Sequence, residues 1–319
     1  MPESLDGHYK LVIKAITGGR LVPFFGAGVN LCGRPTGTDW KRGQYLPNGG
    51  ELSTYLGREF GYPATDTNDL LRVSQYVWIM AGSGPLYETL HSLFDADYPP
   101  TPLHEFFATL PAVLREKGYP ARYQFVVTTN YDDLMERAFR AAVEPEPFDL
   151  VSYIAEGAQR GTFWHCPPDG EPRPIEKPDE CRDLSPDRRT VILKIHGAVD
   201  RQNSDRDSYV ITEDHYIDYL TRTNLSTLVP ILLLQKLRRS HILFLGYGMR
   251  DWNLRAILHR IWEEQTLKFK SWAIQLNPER IDQEFWRARG VDIIDMPLDD
   301  YITGLSQRLQ AIPHAGDGT

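Results

Sequence analysis

The chain has 319 residues, of which 41% are hydrophobic and 24% are charged, and its formal net charge is −8 at pH 7. This composition is typical of a globular protein that is long enough to bury a sizeable core. The negative balance argues against a nucleic-acid-binding surface, and no run of about 18 apolar residues predicts a membrane-spanning helix.

Two further features point to a cytoplasmic protein. The N-terminal residues MPESLDGHYK lack a signal-peptide pattern. The three cysteines, Cys32, Cys166 and Cys181, do not form a disulfide framework, which fits a reducing compartment.

The first part of the chain predicts one strand followed by a long insertion. A helical pattern over 8–17 ends at two glycines, and Leu21 to Phe25 forms the first apolar strand. Residues 31–49 are rich in Gly, Pro, Asn and Thr, which predicts a long mobile loop. The pattern then turns helical to about residue 110, with Asn68 or Asp69 as a helix cap. We therefore expect a loop and helical insertion subdomain over 31–119.

In the remainder of the chain, strands alternate with helices. Strands are predicted at 123–127, 191–195, 242–245, 272–276 and 291–294. Helices are predicted after the second strand through Phe139, over 213–220 and 224–237, from Asp251, and from Leu298. Residues 144–190 predict an irregular insertion, in which FDLVSYI and GTFWHC could pair as a hairpin.

This alternation predicts an α/β fold. We expect a doubly wound, Rossmann-like parallel sheet with a helical insertion after the first strand, and one domain over 1–319. In such sheets ligands bind at the carboxyl ends of the strands. Four strands end there in Gly, Asn, Asp or His, in the segments FFGAGVN, VVTTNYDD, ILKIHG and ILFLGYGMRDWN. The four breaks together suggest one shared nucleotide site.

The first of these breaks is a turn of small residues, Gly26, Ala27 and Gly28. Small residues let the backbone approach a phosphate, and consecutive amides can form an anion nest. The spacing lacks the third glycine of the usual dinucleotide fingerprint, so a simple tight turn is an equal alternative.

The second break supplies an amide and a carboxylate, Asn130 and Asp132. An asparagine here can hold a water or a ribose hydroxyl, and a carboxylate can accept hydrogen bonds from a carboxamide. The alternative is structural: Asn130 would cap the following helix and Asp132 would favour its first turn.

The third break places His196 before a glycine at a strand end. A histidine with a pKa near neutrality is suited to general-base work, although a lone histidine in this setting is also compatible with a structural role. His165 and Cys166 with Cys181 do not have zinc-site spacing and lack a fourth ligand, so we expect no metal.

The fourth break and the end of the fifth strand hold candidates to line a cofactor. Gly246, Tyr247 and Gly248 follow the fourth strand, with Asp251 as a helix cap or a lining residue. Asn277 ends the fifth strand, where it could bind a ribose hydroxyl or cap the helix that begins at Pro278.

Together these motifs resemble the sirtuin superfamily. GAGVN resembles the family's GAG-x-S cofactor turn, with Asn30 in the place of its serine. TTNYD resembles TQN-[IV]-D, IHG resembles the catalytic HG, GYG resembles GTS, and QLN resembles the strand that ends in a ribose-binding asparagine. The order of the motifs agrees from Phe24 to Asn277.

Two departures from the deacylases narrow the resemblance. The family's PDFR segment is replaced by RPTGTDW, and no cysteine follows Cys181, so the four zinc cysteines after HG are missing. With SYVITEDHYIDYL after the HG, the chain resembles the zinc-free, bacterial sirtuin-like domains of antiphage defence effectors. That group's implied activity is hydrolysis of NAD to nicotinamide and ADP-ribose.

The resemblance implies a role for each candidate residue. Asn130 would position the attacking water or the nicotinamide ribose, His196 would act as base or orient a ribose hydroxyl, and Asp132 would hold the carboxamide. The glycine turns, Asn30 and Asn277 would bind the cofactor. The alternatives are a protein deacylase or ADP-ribosyltransferase, and a non-catalytic module that binds NAD or ADP-ribose. We expect a homo-oligomer with a separately encoded ATPase or sensor protein as partner, and no direct contact with nucleic acid or membrane.

Overall fold

A computed structural model describes residues 5–65, 67–120, 123–181, 183–221, 229–249, 255–256, 258 and 269–316. These residues form a single nine-stranded sheet. The strands are β1 Leu21–Phe25, β2 Phe125–Thr128, β3 Phe148–Tyr153, β4 Phe163–Cys166, β5 Arg173–Pro174, β6 Thr190–Lys194, β7 His241–Leu245, β8 Ser271–Gln275 and β9 Val291–Asp295.

The sheet is parallel except at one edge. Its strand order is β5-β4-β3-β6-β2-β1-β7-β8-β9, and all neighbours from β3 to β9 pair parallel. Only β4 and β5 add antiparallel. Strands β2 to β6 lie on one side of β1, and β7, β8 and β9 lie on the other side. The doubly wound parallel fold predicted from the sequence is confirmed.

Helices cover the sheet and fill the segment between its first two strands. The described residues contain α1 Leu5–Thr17, α2 Gly49–Glu59, α3 Leu70–Ala81, α4 Ser83–Phe94, α5 Pro102–Glu116, α6 Leu134–Ala141, α7 Glu213–Thr221, α8 Ile231–Arg238, α9 Arg280–Arg287 and α10 Leu298–Gln310. Asp69 caps α3, since its Oδ1 accepts the amide of Arg72 at 3.2 Å. None of the helices in the described parts of the chain is long and apolar enough to cross a membrane.

The core has three parts, and their positions follow from strand alternation. In β1, Val22 and Phe24 pack into a cluster on one face of the sheet, while Leu21 and Phe25 pack into a cluster on the other. A third cluster joins α2, α3 and α4 to Tyr131, just beyond β2. The helical insertion is therefore packed onto the sheet at the carboxyl end of β2.

The segment 144–190 contributes more to the sheet than the hairpin predicted from its sequence. β3 and β4 do pair antiparallel, but β3 also pairs parallel with β6 and so lies within the sheet. Asp149 is buried in β3, where it accepts from His165 Nε2 at 2.8 Å. A buried carboxylate interrupts the apolar run by which a parallel strand is recognised, which explains the incomplete prediction.

Other predicted boundaries shift by a few residues. The second strand begins at Phe125, two residues later than predicted, and ends at Thr128. The helix predicted over 224–237 is seen as α8 from Ile231, and 222–228 lie outside the described residues. Asp251 also lies outside the described residues, as does most of the helix predicted to follow it.

One buried ion pair joins β6 to α6 below the carboxyl edge of the sheet. The Nζ atom of Lys194 lies 2.8 Å from Glu136 Oε1, and both side chains are almost fully buried. The same ammonium donates to the backbone carbonyls of Tyr131 and Asp132. The segment between β2 and α6 is therefore anchored by a buried cation.

We predict that Glu136→Gln lowers the free energy of unfolding by about 3 kcal/mol or more, because it leaves the buried Lys194 cation without its counter-ion. The matched control is Asp187→Asn. Asp187 pairs with Lys236 at 2.9 Å, but its side chain is 78% exposed, so the loss should be below about 1 kcal/mol. Urea titrations measure both values, and equal small losses would contradict a structural role for the buried pair.

Candidate functional site

The carboxyl ends of β1 and β7 meet in a seam of glycines. The amide of Gly26 donates to the Leu245 carbonyl at 2.9 Å, and the amide of Gly28 donates to the Gly246 carbonyl at 2.9 Å. Gly246 has a φ of 74°, and a Cβ atom there would lie 2.3 Å from the Val29 nitrogen. Only glycine permits this approach. The seam lies where the chain leaves β1 and β7 toward opposite sides of the sheet, which is the usual position of a ligand crevice.

The hydrogen bonds at this seam use backbone amides that an anion nest at the turn would need. The amides of Gly26 and Gly28 donate across the seam, and the amide of Val29 donates to the Gly26 carbonyl at 3.1 Å. These three amides are thus occupied within the protein. In this structure the glycines allow close packing between two loops, and a role of the turn in binding a phosphate stays a prediction.

A cavity of about 1000 Å³ opens above the seam. A volume of this size lies at the upper end of the range for small-molecule sites. The predicted site residues that line the cavity are Ala27, Gly28, Asn30, Asn130, Asp132, His196, Gly246, Tyr247 and Gly248. The turns after β1, β2 and β7, which are distant in sequence, therefore lie at one site. His196, two residues beyond the end of β6, lies there too.

Two predicted residues do not line this cavity. Gly26 lies beneath it, where a Cβ atom would come within 3.0 Å of the Tyr247 ring. Asn277 follows β8 in an exposed turn with a φ of 50°, and its amide donates to Asp295 Oδ1 at 2.8 Å. Asn277 is therefore not among the described residues that line this cavity, and its role in binding a ribose stays a prediction.

Three polar side-chain atoms in the cavity wall have no hydrogen-bond partner among the described residues. They are Asn30 Oδ1, Asn130 Oδ1 and His196 Nε2. These residues are between 5% and 7% exposed. Because most buried polar atoms in folded proteins are paired, three such atoms around one cavity indicate a place for a polar ligand or ordered water.

In the segment after β2, the side chain of Asp132 supports the start of the following helix and that of Asn130 does not, although both residues line the cavity. Thr128 Oγ1 accepts the Asn130 amide at 2.9 Å, which turns the chain out of the sheet. Asp132 Oδ1 accepts the amide of Leu134 at 3.1 Å, at the start of α6. Asp132 therefore supports the helix and also lines the cavity. The side-chain oxygen of Asn130, Oδ1, takes no part in capping.

Burial controls the charge of Asp132. It raises the pKa of this carboxyl to about 6, against the opposing effect of the Lys194 ammonium. Asp132 is consequently ionised at neutral pH, but at a free-energy cost to the folded state.

His196 is held neutral by burial. The ring lies edge-on to the rings of Tyr216 and Tyr219, and Tyr216 Oη is 3.3 Å from Nδ1. Burial lowers the pKa of His196 to about 3, so the imidazole is uncharged and one ring nitrogen is an acceptor at neutral pH. The residue after it must be glycine, because a Cβ atom on Gly197 would lie 2.1 Å from the Ser208 carbonyl oxygen.

Sequence reasoning missed several cavity residues. Tyr216 and Thr129 line the cavity, and Thr129 Oγ1 lies 2.6 Å from the hydroxyl of Tyr247. Asn48 also lines it, from the capping box that starts α2. Thr129 adjoins the predicted Asn130, and Tyr216 lies within the segment SYVITEDHYIDYL, so both carried a signal. Asn48 carried only a helix-capping signal.

The cysteines give no metal centre in the described parts of the chain. No group of three or more His, Cys, Asp or Glu side chains with metal-site geometry occurs there. His165 is instead paired with Asp149, and burial raises the pKa of the Cys166 thiol to about 11. A protonated thiol is a poor metal ligand.

We predict that Asp132→Asn raises the free energy of unfolding at pH 7 but leaves it unchanged at pH 4. Because the folded-state pKa of Asp132 is raised from 3.8 to about 6, its contribution to stability is complete below about pH 4 and is lost as the pH rises through 6. Asparagine keeps an acceptor for the Leu134 amide and carries no charge. The free energy of unfolding should match the native chain at pH 4 and exceed it at pH 7, on the order of 2 kcal/mol. A difference that does not change with pH would contradict the raised pKa.

Two known proteins are similar to this chain. Defense-associated sirtuin 2 of Bacillus subtilis is 25% identical over 300 residues, which cover 91% of this chain and 25% of that protein. The chain thus spans about a quarter of the length of this curated relative. A solved structure of a mutant Sir2 homologue in complex with 2′-O-acetyl ADP ribose is 14% identical, with a TM-score of 0.43, and the match covers 95% of this chain and 98% of that chain.

A family model for the SIR2-like domain matches residues 124–294. The matched region contains β2, β6 and β7 with the polar turns that follow them, and it makes up more than half of the 319 residues. The resemblance to sirtuins that the motifs indicate is therefore confirmed, and the chain belongs to the SIR2-like domain family.

Proposed function

We propose that the chain binds NAD in the cavity above the glycine seam and hydrolyses it to nicotinamide and ADP-ribose. The observation that carries the proposal is the group of unpaired acceptors in the cavity wall, Asn30 Oδ1, Asn130 Oδ1 and His196 Nε2. NAD offers matching donors in its ribose hydroxyls and its carboxamide. Membership of the SIR2-like family supports the choice of NAD among ligands that carry hydroxyl groups.

The reaction requires little acid catalysis. The bond between C1′ of the ribose and N1 of nicotinamide breaks, and its electron pair neutralises the pyridinium ring. A water oxygen forms the new bond to C1′ and releases one proton. Since nicotinamide leaves as a neutral molecule, the protein mainly has to hold the ribose and admit one water.

The cavity residues suit these tasks. The unpaired Asn130 oxygen would hold the water or a ribose hydroxyl. His196, uncharged because burial lowers its pKa, can accept a proton or a hydrogen bond from the substrate. Asp132, ionised above about pH 6, would accept from the carboxamide NH₂ group.

Two other functions remain as alternatives, a protein deacylase or ADP-ribosyltransferase and a non-catalytic NAD-binding module. A single assay separates all three. Purified protein in its assembled state, at high concentration and with its partner, is incubated with NAD, with and without an acylated peptide, and nicotinamide, ADP-ribose and modified peptide are quantified. We expect equal amounts of nicotinamide and ADP-ribose without peptide. Turnover only with peptide would support group transfer, and binding without turnover would support a regulatory module.

The biological role that fits this activity is antiphage defence. The relative with 25% identity is named as a defence-associated sirtuin, and removal of NAD would stop the metabolism of an infected cell. Such an activity has to be restrained in healthy cells. We therefore propose control through a homo-oligomer and a separately encoded ATPase or sensor protein in the cytoplasm, and NAD as substrate without a metal cofactor.

We predict that Asn130→Ala lowers kcat by about 100-fold and changes the Kd for NAD only a few-fold, because an amide that positions water acts mainly on the transition state. His196→Ala should also lose turnover without unfolding the chain. The control is Asn203→Ala, at an exposed asparagine outside the cavity wall. Calorimetry and single-turnover kinetics measure both quantities. Lost NAD binding with an unchanged kcat in Asn130→Ala would contradict the assignment.

We also predict that the isolated chain is nearly inactive and that assembly activates it. Most apolar residues of the helical insertion belong to its own core, as Leu86 and Leu90 are fully buried, but Ile79 and Met80 at the end of α3 are 70% and 67% exposed. The test is the NAD hydrolysis rate per subunit across protein concentrations, with light scattering, and with and without the partner. A fully active monomer, insensitive to both, would contradict control by assembly.

A further inference from the structure

The His196 ring has an uncommon environment for a histidine that would act on a substrate. Histidines used as bases are often oriented by a carboxylate on the second ring nitrogen. Among the described residues, the hydrogen bond recorded at the His196 ring joins Nδ1 to the hydroxyl of Tyr216, at 3.3 Å. The nearest rings are those of Tyr216 and Tyr219, both edge-on.

In this environment the hydrogen bond to Tyr216 determines which ring nitrogen of His196 carries the proton. A neutral imidazole has one N–H donor and one acceptor nitrogen, and a tyrosine hydroxyl can serve as either partner. If Nδ1 carries the proton and donates to Tyr216 Oη, then Nε2 presents a lone pair. In the opposite tautomer Nε2 carries the proton and cannot accept one from a substrate.

We propose that Tyr216 is a positioning residue, whose hydroxyl accepts from Nδ1–H of His196 and so keeps the lone pair of Nε2 available to a ribose hydroxyl or water in the cavity. The inference rests on the proposed function for the role of Nε2. It rests on geometry for the contact itself, since Tyr216 and His196 both line the cavity and Nε2 has no partner among the described residues.

Tyr216 is held in place by contacts on both sides of α7. Thr212 Oγ1 accepts the amide of His215 at 3.1 Å, which fixes the first turn of the helix. Asp214 makes two bonds with Gln75 of α3: Gln75 Nε2 donates to Asp214 Oδ2 at 2.9 Å, and the Asp214 amide donates to Gln75 Oε1 at 3.0 Å. The position of the Tyr216 hydroxyl therefore depends on the docking of the helical insertion onto α7.

The matched pair of variants is Tyr216→Phe and Tyr219→Phe. Each removes one hydroxyl and keeps a ring packed edge-on against His196, so the packing change is the same in kind. We expect Tyr216→Phe to lower kcat for NAD hydrolysis by about 10- to 100-fold, as when a residue that orients a functional histidine is removed, with KM changed less than threefold. Tyr219→Phe should keep kcat within about threefold of the native chain.

The second readout is nitrogen NMR of the His196 ring, in the native chain and in both variants. In the native chain we expect Nδ1 to be protonated and Nε2 to be unprotonated, and we expect a mixture of tautomers in Tyr216→Phe only. This readout requires no turnover, so it decides the contact even if the chain proves not to hydrolyse NAD. It can be made on the native chain alone if Tyr216→Phe does not fold.

Three results would overturn the inference. One is a native ring protonated at Nε2, and another is a tautomer that is unchanged in Tyr216→Phe. The third is a kcat in Tyr216→Phe equal to that of Tyr219→Phe, in a native chain that does hydrolyse NAD. A native protein that is inactive even in its assembled state, with the expected tautomer, would instead reject the proposed function and leave the Tyr216 contact standing.

Discussion

The contact between the carboxyl ends of β1 and β7 is the constraint on which the cavity depends. Gly28 and Gly246 approach so closely that a Cβ atom on Gly28 would lie 2.7 Å from the Gly246 carbonyl oxygen. This seam fixes the two loops in the centre of the sheet, where the chain turns to opposite sides. The segments after β2 and β6 then lie beside it in the parallel sheet, which brings Asn130 and His196 to the same cavity.

Burial sets the chemistry of the groups around this seam. It raises the pKa of Asp132 and lowers the pKa of His196. At neutral pH the cavity is therefore lined by a carboxylate, whose ionisation costs the folded state free energy, and by a neutral imidazole. Directly below, the Lys194 ammonium binds the carbonyl of Asp132 and pairs with Glu136. The segment that carries Asn130 is therefore fixed from beneath, and unpaired acceptors remain on its upper side, in the arrangement of a preorganised polar site.

The sequence predicts the parts of the site that follow strands, because apolar runs and glycine breaks are local signals. It places Asn130, Asp132 and His196 at strand ends, and the structure brings all three to one cavity. It includes Tyr216 in the segment SYVITEDHYIDYL but does not predict its contact with His196, because that contact depends on a helix that docks through Gln75. It also selects Asn277, which lies in an exposed turn after β8, and its role in binding a ribose stays a prediction. It predicts β3 only as a hairpin strand, because the buried Asp149 interrupts the apolar run and the parallel pairing with β6 is a tertiary contact.

The central claim is that the unpaired acceptors of the cavity receive the nicotinamide ribose of NAD. The most direct measurement is a crystal structure with a non-hydrolysable carbocyclic NAD analogue. The account predicts the analogue in the cavity above the Gly28–Gly246 contact, with the nicotinamide ribose or its carboxamide within hydrogen-bond distance of Asn130 and His196. An analogue bound elsewhere, or bound in the cavity with these two side chains still unpaired, would contradict it.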